Sequence, residues 1–327
     1  MSTQHHQKIH RLSLISRVWP WIFLIGLIAG FELWSQIGLQ RSFIFNVYNL
    51  QSILLATSAP LLLGIGLSFV IITSGIDLSV GFVMGLAAVC MAQLSLFFGD
   101  GVGSVVLSVA LTIVLCMIPG YINGFLVAKL AVPAFIGTLG MYGVARGLGF
   151  LVAGDGMTVA VDNAYLASLG SGWTPILITA GLTLLMGFIL AYTRFGQYTY
   201  AIGGNAQSAT RAGINVKRHL IIVYLLAAVF AAIGGILYTA RYAGGAANAG
   251  ESILLDAIAA VVIGGASLFG GTGKIVGTLI GALIIAVIQF GLIFIDVNAF
   301  WQFIAVGVVI ILSVVIDQYK EQLLRAA

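Results

Sequence analysis

Charge is scarce in this chain. Its 327 residues include 14 Lys and Arg and 10 Asp and Glu, 7% in all, where soluble domains average about 25%. With 61% hydrophobic residues and a mean hydropathy of +1.13, that shortage excludes a water-soluble globular domain. Cys90 and Cys116, the two cysteines, are too few for a disulfide scaffold, and both fall in apolar stretches where they read as packed thiols. Histidine is equally sparse: the apolar stretches hold none, and His5, His6 and His10 read as part of a solvated N-terminal tail rather than a metal site. No HExxH and no nucleophile elbow occurs, so no catalytic or metal-ligating residues are assigned. The sequence LFGGTGKI, residues 268–275, comes nearest to a phosphate loop. Leu268 and Ile275 stand where that loop needs Gly and Ser or Thr, so the segment reads as a glycine turn anchored by Lys274. The chain therefore carries no cofactor of its own.

What the chain has instead is apolar length. Crossing the roughly 30 Å hydrocarbon core takes about 20 apolar residues in a helix. About ten such runs are present, near 18–38, 50–72, 78–98, 103–127, 132–152, 174–192, 220–238, 254–268, 275–294 and 300–316. The expected fold is an all-α polytopic membrane protein. It comprises a tail at 1–17, one transmembrane domain over 18–318 with a polar loop at 193–219, and a tail at 319–327. The eighth run is short and bounded by glycine, which predicts a tilted, broken or re-entrant segment. If ten spans alternate from a cytoplasmic N-terminus, Lys8, Arg11, Arg17, Lys129, Arg194, Arg211, Lys217, Arg218, Lys274, Lys320 and Arg325 fall inside. Only Arg41 and Arg241 fall outside, with Asp100, Asp155, Asp162, Glu251 and Asp296. The positive-inside rule favours that arrangement, with both termini cytoplasmic. The net charge of +4 is then a matter of topology and calls for no nucleic acid.

The 42 glycines supply close helix packing. Four pairs at four-residue spacing, Gly81/Gly85, Gly120/Gly124, Gly143/Gly147 and Gly277/Gly281, predict places where backbones approach. Polar residues at membrane depth are the candidates for a pathway or gate. Asp77 lies in TSGIDLSVG, residues 73–81, where Gly75 ends one helix in a left-handed residue and Asp77 caps the next, or where a broken helix forms a gate. Arg146 falls deep in the fifth run, where a charge costs about 2.5–3.5 kcal/mol, so it is expected to face the interior with Asp256, Asn123 or Gln289 as partner. Whether that contact is structural or part of a pathway stays open.

The 193–219 loop is the one long polar and basic stretch. Asn205 is a good N-cap, residues 206–212 suit two helical turns, and Gly213 suits the position just past the end. Ala206, Ala209 and Ala212 are expected to form one smooth face, with Arg211 beside it, that enters a groove of a cytoplasmic partner. Resting on membrane lipid is the competing reading.

Four blocks in order carry a family resemblance: GIDLSVG (75–81), VPAFIGTLG with ARG (132–147), YAIGGN with GINV (200–216), and LDAIAAVVIGG through LFGGTGKIVGTLIGALI (255–284). They resemble the ribose-type monosaccharide permeases of bacterial ATP-binding-cassette importers, over about residues 49–317. Leu254 stands where that pattern carries Glu. The resemblance implies a type II-like importer bundle in the bacterial inner membrane, working as a homodimer. It implies two cytoplasmic ATPase subunits that bind ATP and magnesium, and a periplasmic sugar-binding protein that delivers the substrate. It also makes Gly203, Gly204, Asn205, Ala209, Arg211 and Gly213 the element that couples to the ATPase. A branched-chain amino-acid permease of the same superfamily and an ion-coupled carrier are the rival readings.

Overall fold

The computed structural model describes the backbone of residues 2–154, 156–298 and 300–325, and side chains within these ranges except at 2–18, 313 and 316–325. Among the described residues the helices are α1 Ser2–Leu39, α2 Val47–Ile72, α3 Val80–Phe98, α4 Val102–Leu130, α5 Ala134–Ala153, α6 Ala164–Gly170, α7 Thr174–Tyr192, α8 Arg194–Gly204, α9 Ala206–Arg211, α10 Val216–Tyr242, α11 Glu251–Ile263, α12 Ile275–Phe294 and α13 Phe300–Arg325. Eight of them, α1 to α5, α7, α10 and α12, are long and apolar enough to cross a membrane, and α13 adds the shorter apolar stretch Phe300–Leu312. Two of the ten expected runs stand outside that count: α13 enters with the described stretch Phe300–Leu312 alone, and α11 has only 13 residues, about 20 Å of helix. It stops at Ile263, where Gly265 at φ +88 turns the chain into a non-helical stretch leading to α12. The tail expected at 1–17 is helical from Ser2 and continuous with the first span, while the side chains of His5, His6 and His10, like Asp155, lie outside the described residues. One small departure from an all-helical fold is a two-stranded antiparallel ribbon, β1 Thr158–Ala160 with β2 Gly244–Ala246, in register Val159↔Gly245.

α2, α3 and α10 form the centre, with 83%, 78% and 61% of their apolar windows buried. Hydrophobicity cannot sort helices inside lipid, so small residues do it by letting backbones touch. A Cβ on Gly66 of α2 would sit 2.7 Å from the Ala227 Cα of α10, and one on Gly124 of α4 would sit 2.7 Å from the Ile221 Cα. Three of the four expected glycine pairs are seated this way: Gly81/Gly85 against Gly250 and Ala247, Gly120/Gly124 against α10, and Gly277/Gly281 against Gly264 and Ala260. Gly143 and Gly147 differ, because among the described residues nothing would lie within 4 Å of a Cβ on either. They sit on an exposed face of α5, so their packing is not within this chain.

Because the helices alternate in direction, one end of the bundle gathers the end of α2, the start of α3, α8, α9 and the loop before α12. Lys129, Arg194, Arg211, Lys217, Arg218 and Lys274 all belong to that end. The opposite end carries Arg41 and Arg241 with Asp100, Asp162, Glu251 and Asp296. There Glu32 fastens the turn from α1 to α2, accepting hydrogen bonds from the backbone N–H of Phe43 at 2.8 Å and Ile44 at 2.9 Å.

The packing makes a direct forecast. Gly66→Leu forces a branched side chain against the α10 backbone and should destabilise the purified protein by about 1–3 kcal/mol in a thermal-unfolding assay. Gly181→Leu on α7, with nothing within 4 Å, should leave the melting temperature unchanged.

Candidate functional site

The polar loop folds into two helices, not one. α8 was hidden in its sequence: Phe195, Thr199 and Ile202, at i, i+4 and i+7, form an inward face. The Phe195 ring packs 5.6 Å from Phe69 and 4.5 Å from His219, and the Thr199 hydroxyl is 2.9 Å from His219 Nε2. α10 begins at Val216 rather than 220, so His219 is a buried residue of its first turn, contrary to the expectation that the apolar spans lack histidine.

Asn205 caps α9 by accepting a hydrogen bond from the Ser208 N–H at 2.8 Å. Gly213, at φ +85, follows the helix, with its N–H on the Thr210 carbonyl and the Ile214 N–H on the Ala209 carbonyl. The expected alanine face does not form as one surface. Ala206 and Ala212 are exposed, but Ala209 is 4% exposed and faces its own chain, which leaves Ala206, Gln207 and Arg211 outward. Gly204 is also exposed, with nothing within 4 Å of a Cβ. Gly203 is the opposite case, since a Cβ there would collide with the Ile72 carbonyl oxygen at the end of α2.

That collision marks a three-way junction. The Gly271 N–H donates to the Ile72 carbonyl at 2.9 Å, and the Ser74 hydroxyl lies 2.9 Å from the Phe269 carbonyl oxygen and 3.3 Å from that of Gly203. The Tyr200 hydroxyl donates to the Gly273 carbonyl at 2.6 Å. The end of α2, the end of α8 and the loop into α12 are thereby tied together. Ser74, not Gly75, is the left-handed residue, at φ +63, closing α2 with the Ser74 N–H on Ile71 and the Gly75 N–H on Val70. A side chain is needed at 74 for the bridge. At 75 it is excluded, because a Cβ would stand 2.7 Å from the Tyr224 hydroxyl.

Asp77 lies in the break between α2 and α3 and is 1% exposed. It does not cap α3, as expected of it, but accepts hydrogen bonds from the Ser79 N–H at 2.9 Å and the Ser79 hydroxyl at 2.6 Å. Asn123 of α4 donates to that hydroxyl at 2.8 Å, and Thr138 of α5 donates to the Ile76 carbonyl at 3.1 Å. Asp256 and Gln289 are brought together as a pair, the Gln289 amide donating to the Asp256 carboxylate at 3.0 Å.

Arg146 corrects an expectation. It reaches none of Asp256, Asn123 or Gln289 but lies on the exposed face of α5, its guanidinium 5.3 Å from the Phe82 ring centre and 6.0 Å from that of Phe150. Those rings give the cation an attractive face.

Membrane-length helices around a buried polar break, knit to a folded basic loop at one end, define a multi-pass membrane protein. The chain belongs to the family described as "Branched-chain amino acid transport system / permease component", whose model matches residues 49–314. It is similar to the ribose import permease protein RbsC of Escherichia coli (strain K12), 40% identical over 287 residues, covering 85% of this chain and 88% of that one. RbsC of Bacillus subtilis (strain 168) is 35% identical over 320 residues, 96% of each chain. The fructose import permease protein FrcC of Rhizobium meliloti is 35% identical over 297 residues, 84% of this chain and 79% of that one. No solved structure matches the chain. It is a multi-pass protein of the bacterial inner membrane.

Ser79→Ala removes both a donor to Asp77 and the acceptor of Asn123. The variant should lose about 2 kcal/mol or more of stability, read as a lowered melting temperature of the purified protein, while Ser52→Ala outside the cluster stays at the parent value.

Proposed function

We propose that this chain is the membrane-spanning subunit of an ATP-driven importer that carries a monosaccharide or related small polyol inward. Relatives named for ribose, galactose or methyl galactoside, and fructose support a sugar over a branched-chain amino acid. The chain performs no chemistry itself. ATP and magnesium are bound by a cytoplasmic ATPase subunit, and a periplasmic binding protein supplies the sugar.

The observation that carries the reading is the contrast between the two ends of α8–α9. Gly203 is clamped to α2 and the loop into α12, while Gly204, Ala206, Gln207 and Arg211 stand free. An ATPase seated on the free surface displaces α9, and the clamp delivers that displacement to α2 and α12 together. Two arrangements of the bundle then differ in which end is open, and the ATPase shifts the population between them.

The second copy of the chain covers α5. Arg146, Gly140, Gly143 and Gly147 make a surface that is costly to leave in lipid and that admits a close helix. The cation–π contacts keep Arg146 from needing an acidic partner, so it lines the space between copies.

Two experiments test this reading. Gly204→Trp and Arg211→Glu should keep the parent melting temperature but lose co-purification with the ATPase, and sugar uptake into vesicles should fall to background. Uptake that continues without ATP or the ATPase would sink the proposal. For the pairing of copies, Gly143→Cys in native membranes should give an oxidised dimer on gels, because close helices bring the Cα atoms into the roughly 4.4–6.8 Å disulfide range. Leu184→Cys on exposed α7 should remain monomeric.

A further inference from the structure

A cavity of about 370 Å³ lies away from α5, among α2, α7, α10, α11, α12 and α13. Its polar lining includes Ser52, Tyr238, Arg241, Asp256, Gln289 and Gln302. The volume falls in the roughly 300–1,000 Å³ range of small-ligand sites. Apolar walls from α2 and α10 with a few convergent polar groups are the usual make-up of such a site. Here the polar groups come from different helices, so the bundle fold assembles them.

Their chemistry restricts the occupant. Gln289 donates its amide to one Asp256 oxygen, which leaves the other carboxylate oxygen and the Gln289 carbonyl oxygen as neighbouring acceptors. Two adjacent acceptors suit two hydroxyl hydrogens. Arg241 brings donors to the same cavity, and among the described residues no ion pair joins it to Asp256. Tyr238 and Tyr242, with ring centres 4.6 Å apart, add an apolar face with polar tips. One negative and one positive side chain leave the lining neutral, in keeping with an uncharged ligand rich in hydroxyl groups.

The position is as informative as the lining. Arg241, Ser252 and Gln302 lie near helix termini at the end opposite the coupling loop, and Asp256 and Gln289 lie about one turn further in. α2 and α12 both border the cavity, and both are gripped at their other ends by the Ser74–Gly203–Gly271 junction. From Ser58 to Ile72 is 14 residues, about 21 Å along α2. A displacement at the junction therefore acts on two walls of the cavity through continuous helix.

We infer that each copy of the chain has its own monosaccharide-binding site in this cavity, with Asp256 and Gln289 holding adjacent sugar hydroxyls. The inference rests on the sugar-import reading above. It adds a site inside each copy, distinct from the space between copies along α5.

The test uses the full chain with its ATPase and the sugar-binding protein in sealed vesicles. Cys90 and Cys116 are buried, so Ser52→Cys supplies one accessible thiol at the cavity. D-ribose, D-galactose and D-fructose are each tried at millimolar concentration against labelling by a membrane-impermeant maleimide, and import of each is measured in parallel with ATP present. The imported sugar should slow labelling several-fold. Asp256→Asn and Gln289→Leu in the same background should abolish that protection while leaving the rate without sugar unchanged. Import of a sugar that gives no protection, or protection that survives Asp256→Asn, overturns the site but not the importer. Protection by leucine in place of any sugar overturns both.

Discussion

The structure depends on one carbonyl, that of Ile72, and on the absence of a side chain opposite it. The end of a helix leaves its last carbonyls without partners inside the helix, and in a membrane protein such groups must find partners in the fold. Ile72 takes the Gly271 N–H, and Gly203 approaches so closely that no Cβ fits. Ser74 then spans the two neighbouring carbonyls at the cost of a left-handed backbone. Three segments far apart in sequence are held by this one helix end. The basic loop is therefore part of the bundle on one side and free surface on the other.

The same economy governs the break from residue 73 to 79. Its backbone is non-helical, yet it is enclosed by α4, α5 and α10, which contribute Asn123, Thr138 and Tyr224. Irregular backbone at this depth is tolerated only against protein or water. Among the described residues the Asn123 Oδ1 and the Tyr224 hydroxyl have no hydrogen-bond partner, so a polar cluster without a full set of bonds sits beside the junction.

Local chemistry was the legible part of the sequence. The capping of α9 by Asn205 and its end at Gly213 follow from residue types acting within a few positions of each other. Apolar length likewise located the membrane helices. What was not legible depended on distant partners. The inward face of α8 was visible as Phe195, Thr199 and Ile202, but Thr199 and the adjacent Tyr198 and Tyr200 made the stretch read as a polar loop. Ala209 belonged to a regular alanine pattern, and only α8 and α10 decide that it turns inward. Gly143 and Gly147 have the same spacing as the packed pairs, so sequence alone could not tell a glycine that meets its own chain from one that meets nothing there. Arg146 was expected to turn inward to Asp256, Asn123 or Gln289. It found two aromatic rings, a partner that net-charge reasoning does not suggest.

The half-length helix α11 has a consequence for how the protein is made. At 13 residues it offers the insertion machinery no complete crossing, and residues 264–274 beyond it expose backbone that lipid cannot satisfy. The groups that satisfy it, the Ile72 carbonyl and the Ser74 and Tyr200 hydroxyls among them, are earlier in the chain. Synthesis from the N-terminus thus builds the socket before the plug emerges. In the order of synthesis the partners of Phe269, Gly271 and Gly273 are therefore already present when this turn emerges.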